Sequence, residues 1–207
     1  MNLTRCKKCR RAGRKLFLKG ERCFSPKCAM VKKPYAPGQH AKPSVAVTEY
    51  GKQLREKQVL KNVYGLREKQ FKKYFKDLSK KGGKFGDLLV GRLETRLDCV
   101  AHRLGFAESR SYARQLIGHG FLQVNGRKVT IPSFNLKEGD EISFVGGKES
   151  KNCVKLVRER LTAKKPEIPA WLMLNAKDLK GKLLNIPTER EVNPDANPQA
   201  VIEFYSR

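Results

Sequence analysis

The sequence predicts an α+β protein that is mainly helical and carries one small α/β module of two helices and a short antiparallel sheet. Three observations support this fold class. Apolar residues recur at helical spacing in three stretches between residues 48 and 104. A further helical pattern near residue 110 precedes two strand-like runs around an Asn-Gly pair. The first 33 residues hold twelve Lys or Arg, one acid and four cysteines, so they cannot build a hydrophobic core.

The four cysteines of this basic N-terminal segment have the spacing C-x2-C-x13-C-x4-C. They are Cys6, Cys9, Cys23 and Cys28. Four thiolates at such spacing can close a tetrahedral zinc site, and the metal then supplies folding free energy in place of apolar burial. We therefore predict a zinc knuckle that holds one structural Zn²⁺ ion. It belongs to an N-terminal segment, residues 1–45, that includes a Pro-rich linker at residues 34–40. A redox C-x-x-C pair is the alternative, but Cys6 and Cys9 come too early to open a helix of a βαβ unit.

The charge of the chain indicates a polyanionic partner. Forty-five Lys and Arg stand against 20 Asp and Glu, which gives a net charge of +25. Such a field opposes compaction unless a polyanion neutralises it, so nucleic acid is the natural partner. An anionic membrane is the alternative, but no lipid anchor, signal core or apolar run of roughly 20 residues is evident. We therefore expect no membrane association and a cytosolic protein whose cysteines are thiols or ligands.

Two helices are predicted after the linker. Thr48 can cap the first helix, which runs to about Tyr64 and ends at Gly65. Its apolar face is expected to hold Tyr50, Leu54, Leu60 and Val63. The second helix covers residues 66–78. Its apolar face holds Phe71, Tyr74, Phe75 and Leu78, which we interpret as core rather than as base-stacking groups because they follow the helical period.

The α/β module follows. The apolar period continues, so a single long helix is predicted from about Phe85 into the module, where Cys99 is a buried thiol. Ser109 can cap the next helix, and Gly118 stops it. The pair Asn125-Gly126 suits the positive φ values of a type I′ turn between two short strands. A further strand over 142–145 is expected to close the sheet.

Basic residues accompany both helices of the module. Arg96 and Arg103 lie near the edge of the first apolar stripe, and Arg110 and Arg114, four residues apart, share an outer face of the second helix. As a group these arginines favour RNA binding over an ordinary solvated face. Asp98, which lies among them, is interpreted as the ion-pair partner of a nearby arginine.

The order of motifs in this region resembles a known RNA-binding module. The segments S-R-x-x-A-R-Q-L-I-x-H-G, V-N-G, P-S and G-D occur in the same order in the module named after ribosomal protein S-four. In that family the two helices and the hairpin edge grip structured RNA. By motif position the resemblance implicates nine residues here. They are Arg96, Arg103, Arg110, Arg114, Gln115, His119, Asn125, Arg127 and Lys128.

The resemblance extends over the whole chain. The stretches E-Y-G-K-Q-L-R-E-K-Q, Y-G-L-R-E-K-Q-F, L-E-T-R-L-D and V-I-E-F-Y-S-R are similar to those of the bacterial small-subunit ribosomal protein S-four family, in its zinc-containing form. The resemblance implies that the RNA-binding module, residues 96–159, is inserted into a helical domain. That domain consists of residues 46–95 and is completed by 160–207, of which residues 171–172 and 201–205 are expected to pack on it.

The resemblance also implies a function. We expect a structural component of the small ribosomal subunit in the cytoplasm that binds small-subunit rRNA directly, nucleates assembly of the subunit body and influences translational accuracy. Expected partners are the rRNA, neighbouring small-subunit proteins and mRNA near its entry site. The N-terminal segment is expected to offer basic residues to phosphates. They are Lys7, Lys8, Arg10, Arg11, Arg14, Lys15 and Arg22.

An RNA-modifying enzyme is the alternative class, because such modules also occur in pseudouridine synthases. The tripeptide Arg96-Leu97-Asp98 resembles the R-L-D that carries the catalytic aspartate in one class of these enzymes. There the tripeptide lies in a separate catalytic domain, whereas here it falls within the module. The histidines His40, His102 and His119 share no motif with a nucleophile or a metal site. We therefore predict that the protein is not an enzyme and has no catalytic residues.

Overall fold

The computed structural model describes residues 4–39, 47–147, 151–163, 167–192 and 196–206. His40, the last residue of the predicted linker, lies outside the described residues. The chain divides into two compact units. The first comprises residues 1–89 and 193–207, and the second comprises residues 90–192.

Within the described residues the chain forms ten α-helices and five strands. The helices are α1 (Arg5–Ala12), α2 (Ala29–Lys32), α3 (Glu49–Val63), α4 (Glu68–Leu78), α5 (Phe85–Glu94), α6 (Leu97–Arg103), α7 (Arg110–Gly118), α8 (Asn152–Ala163), α9 (Glu189–Val192) and α10 (Pro198–Tyr205). The strands are β1 (Leu122–Val124), β2 (Arg127–Lys128), β3 (Glu141–Phe144), β4 (Leu172–Asn175) and β5 (Lys180–Leu183). A 3₁₀ turn spans Gly20–Cys23. None of these described helices combines the length and the hydropathy that a membrane crossing requires.

Helices α3 and α4 confirm the two predicted helices of the first unit. The Thr48 hydroxyl accepts a hydrogen bond from the Gly51 N–H at 3.2 Å, as the capping prediction requires. One residue of the predicted apolar face is wrong. Tyr50 is 51% exposed and lies outside the core, where its ring contacts Phe204 of α10 with 5.5 Å between centroids. Lys57 takes an inward position on the same helix.

An ion pair with the half-exposed Glu68 explains the position of Lys57. Its side chain is 6% exposed, and its Nζ lies 2.8 Å from Glu68 and 4.2 Å from the ring centroid of Phe204. Glu68 also accepts hydrogen bonds from Lys61 and from the Tyr205 hydroxyl. Burial raises the pKa of Glu68, but these hydrogen bonds outweigh it and lower the pKa to about 2. The C-terminal run 201–205 therefore packs on the helical unit, as predicted.

The predicted long helix from Phe85 is wrong, because the chain breaks between α5 and α6. Arg96 is extended, with ψ 138°, at the start of α6. The break allows the segment 132–136 to supply backbone partners. The N–H groups of Leu97 and Asp98 donate to carbonyls of that segment, and the Leu136 N–H donates to the Thr95 carbonyl. The first orphan N–H groups of α6 are thereby satisfied.

The second unit contains an antiparallel sheet with the order β2-β1-β3-β5-β4. Asn125 and Gly126 have φ values of 48° and 77°, which confirms the predicted tight turn of the β1–β2 hairpin. Strand β3 confirms the predicted third strand. Strands β4 and β5 were not predicted, and they extend the sheet because Ile142 pairs with Gly181.

The predicted domain bounds therefore differ from the observed units. Trp171 and Leu172 are 2% and 5% exposed and belong to the hydrophobic core of the second unit, not to the helical unit.

Gly181 of β5 allows the sheet to pack closely against Leu104 at the end of α6. A Cβ at this position would overlap the Leu104 side chain, so only glycine permits such a close approach. Cys99 is fully buried, as predicted.

Candidate nucleic-acid interface

Two fully buried carboxylates organise the arginines of the second unit. Glu94 ends α5 and accepts hydrogen bonds from Arg103, Nε at 3.1 Å and Nη2 at 2.9 Å, and from Nη2 of Arg110 at 3.3 Å. Asp98 lies in the first turn of α6. It accepts from Arg96, Nε at 3.0 Å and Nη2 at 2.8 Å, and from Nε of Arg114 at 2.6 Å. We call these two acids and four arginines the ion-pair cluster.

The ion-pair cluster changes the interpretation of the predicted RNA-binding arginines. The outward-facing assignment of Arg110 and Arg114 is wrong in part, because both guanidinium groups turn toward buried carboxylates. The side chains of Arg103, Arg110 and Arg114 remain 32%, 17% and 29% exposed, so they still reach the surface. Arg96 is only 3% exposed, so the predicted edge position for it is wrong. The predicted pairing of an arginine with Asp98 is confirmed.

The remaining predicted residues of α7 and its surroundings follow from the local fold. The Ser109 hydroxyl accepts from the Tyr112 N–H at 3.3 Å and caps α7, as predicted. Gln115 and His119 are exposed near the end of this helix. His102 instead is half-buried, with Nδ1 3.0 Å from the Ala107 carbonyl oxygen. Burial, and then the nearby charge of Arg110, lowers the pKa of His102 to about 4.

The β1–β2 hairpin presents two exposed cations, Arg127 and Lys128. The stem of Lys128 lies across Gly120, where a Cβ would overlap it. Asn125 has a structural role in the turn. Its Nδ2 donates to Asp140 at 2.8 Å, and its Oδ1 accepts from the Glu141 N–H at 2.9 Å.

The seven predicted basic residues of the N-terminal segment separate into two groups. Lys7, Arg11, Lys15 and Arg22 are exposed, and Lys8 is half-buried. The other two are used inside the first unit. Arg10 donates to the Tyr35 carbonyl at 2.8 Å and lies over the Tyr35 ring, and Arg14 forms a 2.8 Å ion pair with Glu56.

A basic cleft of about 220 Å³ lies between α1 and α3. Lys8 and Arg11 contribute from α1, whereas Arg55, Gln58 and Asn62 contribute from α3. The three α3 residues were missed from the sequence. Their spacing of three and four places them on one helix face, and this was the signal that could have found them. The cleft can accept phosphate or base edges.

The four N-terminal cysteines line one small cavity. Cys9 and Cys23 are each 8% exposed, and Cys28 is 9% exposed. Burial, and then the neighbouring thiols of Cys23, Cys6 and Cys28, raises the pKa of Cys9, against a hydrogen bond from the Leu16 backbone. None of these four cysteines forms a disulfide. Within the described part of the chain, no group of three or more Cys, His, Asp or Glu side chains is arranged to hold a metal ion.

Comparison with known proteins gives two family matches that follow each other along the chain. Residues 3–94 match the ribosomal protein S4/S9 N-terminal domain, and residues 95–142 match the S4 domain. A small ribosomal subunit protein uS4 of Thermus thermophilus is 48% identical over 204 residues, which cover 98% of this chain and 96% of that protein. The chain belongs to the uS4 family.

Other uS4 proteins show similar agreement. That of Dictyoglomus turgidum is 45% identical, and that of Kosmotoga olearia is 46% identical. Each match covers 98% of this chain and 96% of the relative. The uS4 family is the ribosomal protein S-four family predicted from the sequence. The S4 domain match ends at residue 142, so it contains the ion-pair arginines and the β1–β2 hairpin but not β4 and β5.

Proposed function

We propose that the chain is a structural protein of the cytoplasmic small ribosomal subunit and binds small-subunit rRNA directly. Its membership of the uS4 family supports this function. The observation that carries it is the ion-pair cluster, whose arginines belong to the same S4 domain as the exposed hairpin cations Arg127 and Lys128. Buried Glu94 and Asp98 hold three partly exposed arginines in fixed positions, so these side chains lose less conformational freedom when they contact phosphates.

Shape gives this surface its specificity. Phosphate contacts supply affinity and position, whereas folded RNA is distinguished mainly by the arrangement of its backbone and its unpaired bases. Rigid helices α6 and α7 with the adjoining hairpin suit such a task. In the first unit, the basic cleft between α1 and α3 offers a further phosphate-binding surface.

A protein that binds rRNA directly through two basic units can fix RNA segments early, so we propose that it nucleates assembly of the subunit body. Contacts with neighbouring small-subunit proteins, a position near the mRNA entry site and an influence on translational accuracy complete the proposal.

An enzymatic function is not favoured by the position of Asp98. The residue is fully buried, and its carboxylate oxygens accept hydrogen bonds from Arg96 and Arg114. A pseudouridine synthase would need this carboxylate at a substrate. The matched relatives are named as ribosomal subunit proteins along 98% of the chain.

Removing the hairpin cations tests the RNA-binding function. We expect Arg127→Ala with Lys128→Ala to weaken binding to small-subunit rRNA and to lower the slope of log affinity against log salt by about one to two, because each lost phosphate contact contributes on the order of 0.7 to 0.9. Filter binding at several salt concentrations measures both quantities.

Lys180→Ala with Lys182→Ala is the matched control, since it removes the same charge from exposed positions of β5. The control should retain the wild-type slope within about half a unit. Equal slopes for all three proteins would contradict the proposed role of the hairpin. Absence of salt-dependent rRNA binding by the wild type would overturn the proposed function.

We also propose that the N-terminal cysteines hold one structural zinc ion, bound by Cys6, Cys9, Cys23 and Cys28. Their shared cavity and their burial fit a thiolate site, although the side chains would have to turn toward a common centre. The ion would supply folding free energy to a segment with few apolar residues.

Metal analysis tests the zinc proposal. The purified protein should contain about one zinc per chain, and Cys9→Ser with Cys28→Ser should lose it, because two of four ligands are removed. Cys153→Ser is the control and should keep the metal, since Cys153 lies in the second unit. Wild-type protein without stoichiometric zinc, or a double variant that retains it, would contradict the site.

A further inference from the structure

Phe17 and Phe24 form an exposed aromatic pair in the basic N-terminal segment. Their ring centroids are 5.0 Å apart, and the ring planes differ by 28°, so the rings are stacked. Phe17 is 43% exposed and Phe24 is 77% exposed. Large apolar side chains that stabilise a core are normally buried, so the pair contributes little to the stability of the first unit.

The local backbone holds both rings outward. Phe17 has a φ of +46°, a left-handed conformation that L side chains rarely adopt and that is often found at functional positions. Its neighbour Leu16 is 2% exposed and anchors the chain. Phe24 follows the buried Cys23, and its N–H donates to the Glu21 carbonyl at 3.0 Å, which closes the 3₁₀ turn. Each ring therefore follows a buried residue, Leu16 or Cys23, that fixes the backbone next to it.

We propose that Phe17 and Phe24 form a stacking platform for an unpaired nucleobase of RNA. The proposal deepens the RNA-binding function and rests on it. Unpaired bases stack on exposed aromatic rings, and such contacts are sequence-tolerant. The surrounding charge favours this occupant, because the first 33 residues carry twelve Lys or Arg and one acid. Lys15, Lys19 and Arg22 flank the rings in the chain and suit the phosphates on either side of a stacked base.

A tryptophan reporter tests the platform directly. Trp171 is the chain's single tryptophan and is 2% exposed, so Phe24→Trp adds one exposed indole against an almost constant background. The probes are a single-stranded RNA of about twelve nucleotides, a duplex of the same length and an abasic strand. This length falls within the roughly 4 to 16 nucleotides of typical single-strand sites. Stacking predicts quenching by the single strand, much weaker quenching by the duplex and none by the abasic strand.

Loss and rescue variants provide the affinity test. We expect Phe24→Ala to bind the single strand about 5- to 150-fold more weakly, which corresponds to one stacked base at roughly 1 to 3 kcal/mol. Phe24→Tyr should bind like the wild type, whereas Phe24→Leu should resemble the alanine variant because it keeps an apolar side chain without a planar face. Far-UV circular dichroism should be unchanged, since Phe24 is exposed.

The outcomes separate the platform from the general function. Wild-type affinity in Phe24→Ala with salt-dependent rRNA binding intact would overturn the platform and leave the proposed function standing. Quenching by the abasic strand equal to that by the single strand would also overturn it, because phosphates alone would explain the signal. Retained affinity of Phe24→Leu for the single strand would show that the RNA contact needs only an apolar side chain and no planar face, and would overturn base stacking. Base-dependent quenching without salt-dependent rRNA binding would support the platform and remove the ribosomal function.

Discussion

Asp98→Asn is expected to destabilise the second unit by about 3 to 5 kcal/mol. The substitution keeps the shape of the side chain but removes its charge, so the guanidinium of Arg96, 3% exposed, faces a neutral amide in place of the Asp98 carboxylate. Arg114 loses its charged acceptor at the same time. Removal of one partner from a buried ion pair costs far more than the loss of a surface pair.

The position of the single tryptophan permits a clean measurement. Because Trp171 is buried in the core of the second unit, its fluorescence during urea denaturation reports the unfolding of that unit. Glu141→Gln is the matched control. It neutralises an acid of the same unit that forms a 3.1 Å pair with Lys180, where both side chains are about half exposed, and it should cost no more than about 1 kcal/mol. Equal midpoints for the two variants would contradict a stabilising role for the ion-pair cluster.

The ion-pair cluster also affects how RNA-binding variants are interpreted. Alanine at Arg110 or Arg114 removes a surface cation, but it also removes a partner from a fully buried carboxylate. A loss of rRNA affinity in these variants can therefore come from a lost RNA contact or from a less stable fold. Each variant needs a denaturation curve as well as a binding curve. Arg127 and Lys128 are better probes, because they are exposed on the hairpin.

Local signals predicted much of the fold. The caps at Thr48 and Ser109 and the Asn125-Gly126 turn depend on side chains that act on their own backbone, so a single sequence reveals them. The break before Arg96 could not be predicted in this way. It depends on backbone hydrogen bonds from the segment 132–136, which is distant in sequence.

Non-local pairing explains the other differences. Strands β4 and β5 are four residues each, and they join the sheet through β3 rather than through any local pattern. Periodicity assigned Arg110 and Arg114 to an outer face, but it carried no information about the carboxylates that approach from α5 and α6. The sequence therefore named candidate residues for the site, and their contacts with RNA stay a prediction. Only the tertiary contacts show which cations stabilise the fold and which reach the surface.

The stability of the second unit is expected to fall as the pH decreases from about 6.5 to 4, because of His102. Its side chain is half-buried, and its neutral ring can donate from Nδ1 to the Ala107 carbonyl. Burial and the charges of Arg110 and Arg103 oppose protonation and lower its pKa to about 4, whereas an exposed histidine titrates near 6.5. The unfolded chain therefore binds more protons than the folded one in this interval, and stability is lost as the pH falls.

The expected loss attributable to His102 approaches 3 kcal/mol at pH 4, since a shift of one pKa unit corresponds to about 1.4 kcal/mol. His102→Gln isolates this contribution, because glutamine can still donate to the Ala107 carbonyl but does not titrate. Urea denaturation at several pH values between 7 and 4, followed by Trp171 fluorescence, should give a pH dependence shallower by roughly one proton in the variant. His119→Gln, at an exposed position, is the control and should follow the wild type. If the wild type and His102→Gln lose stability in parallel between pH 6.5 and 4, carboxylates elsewhere in the unit explain the acid sensitivity and His102 does not.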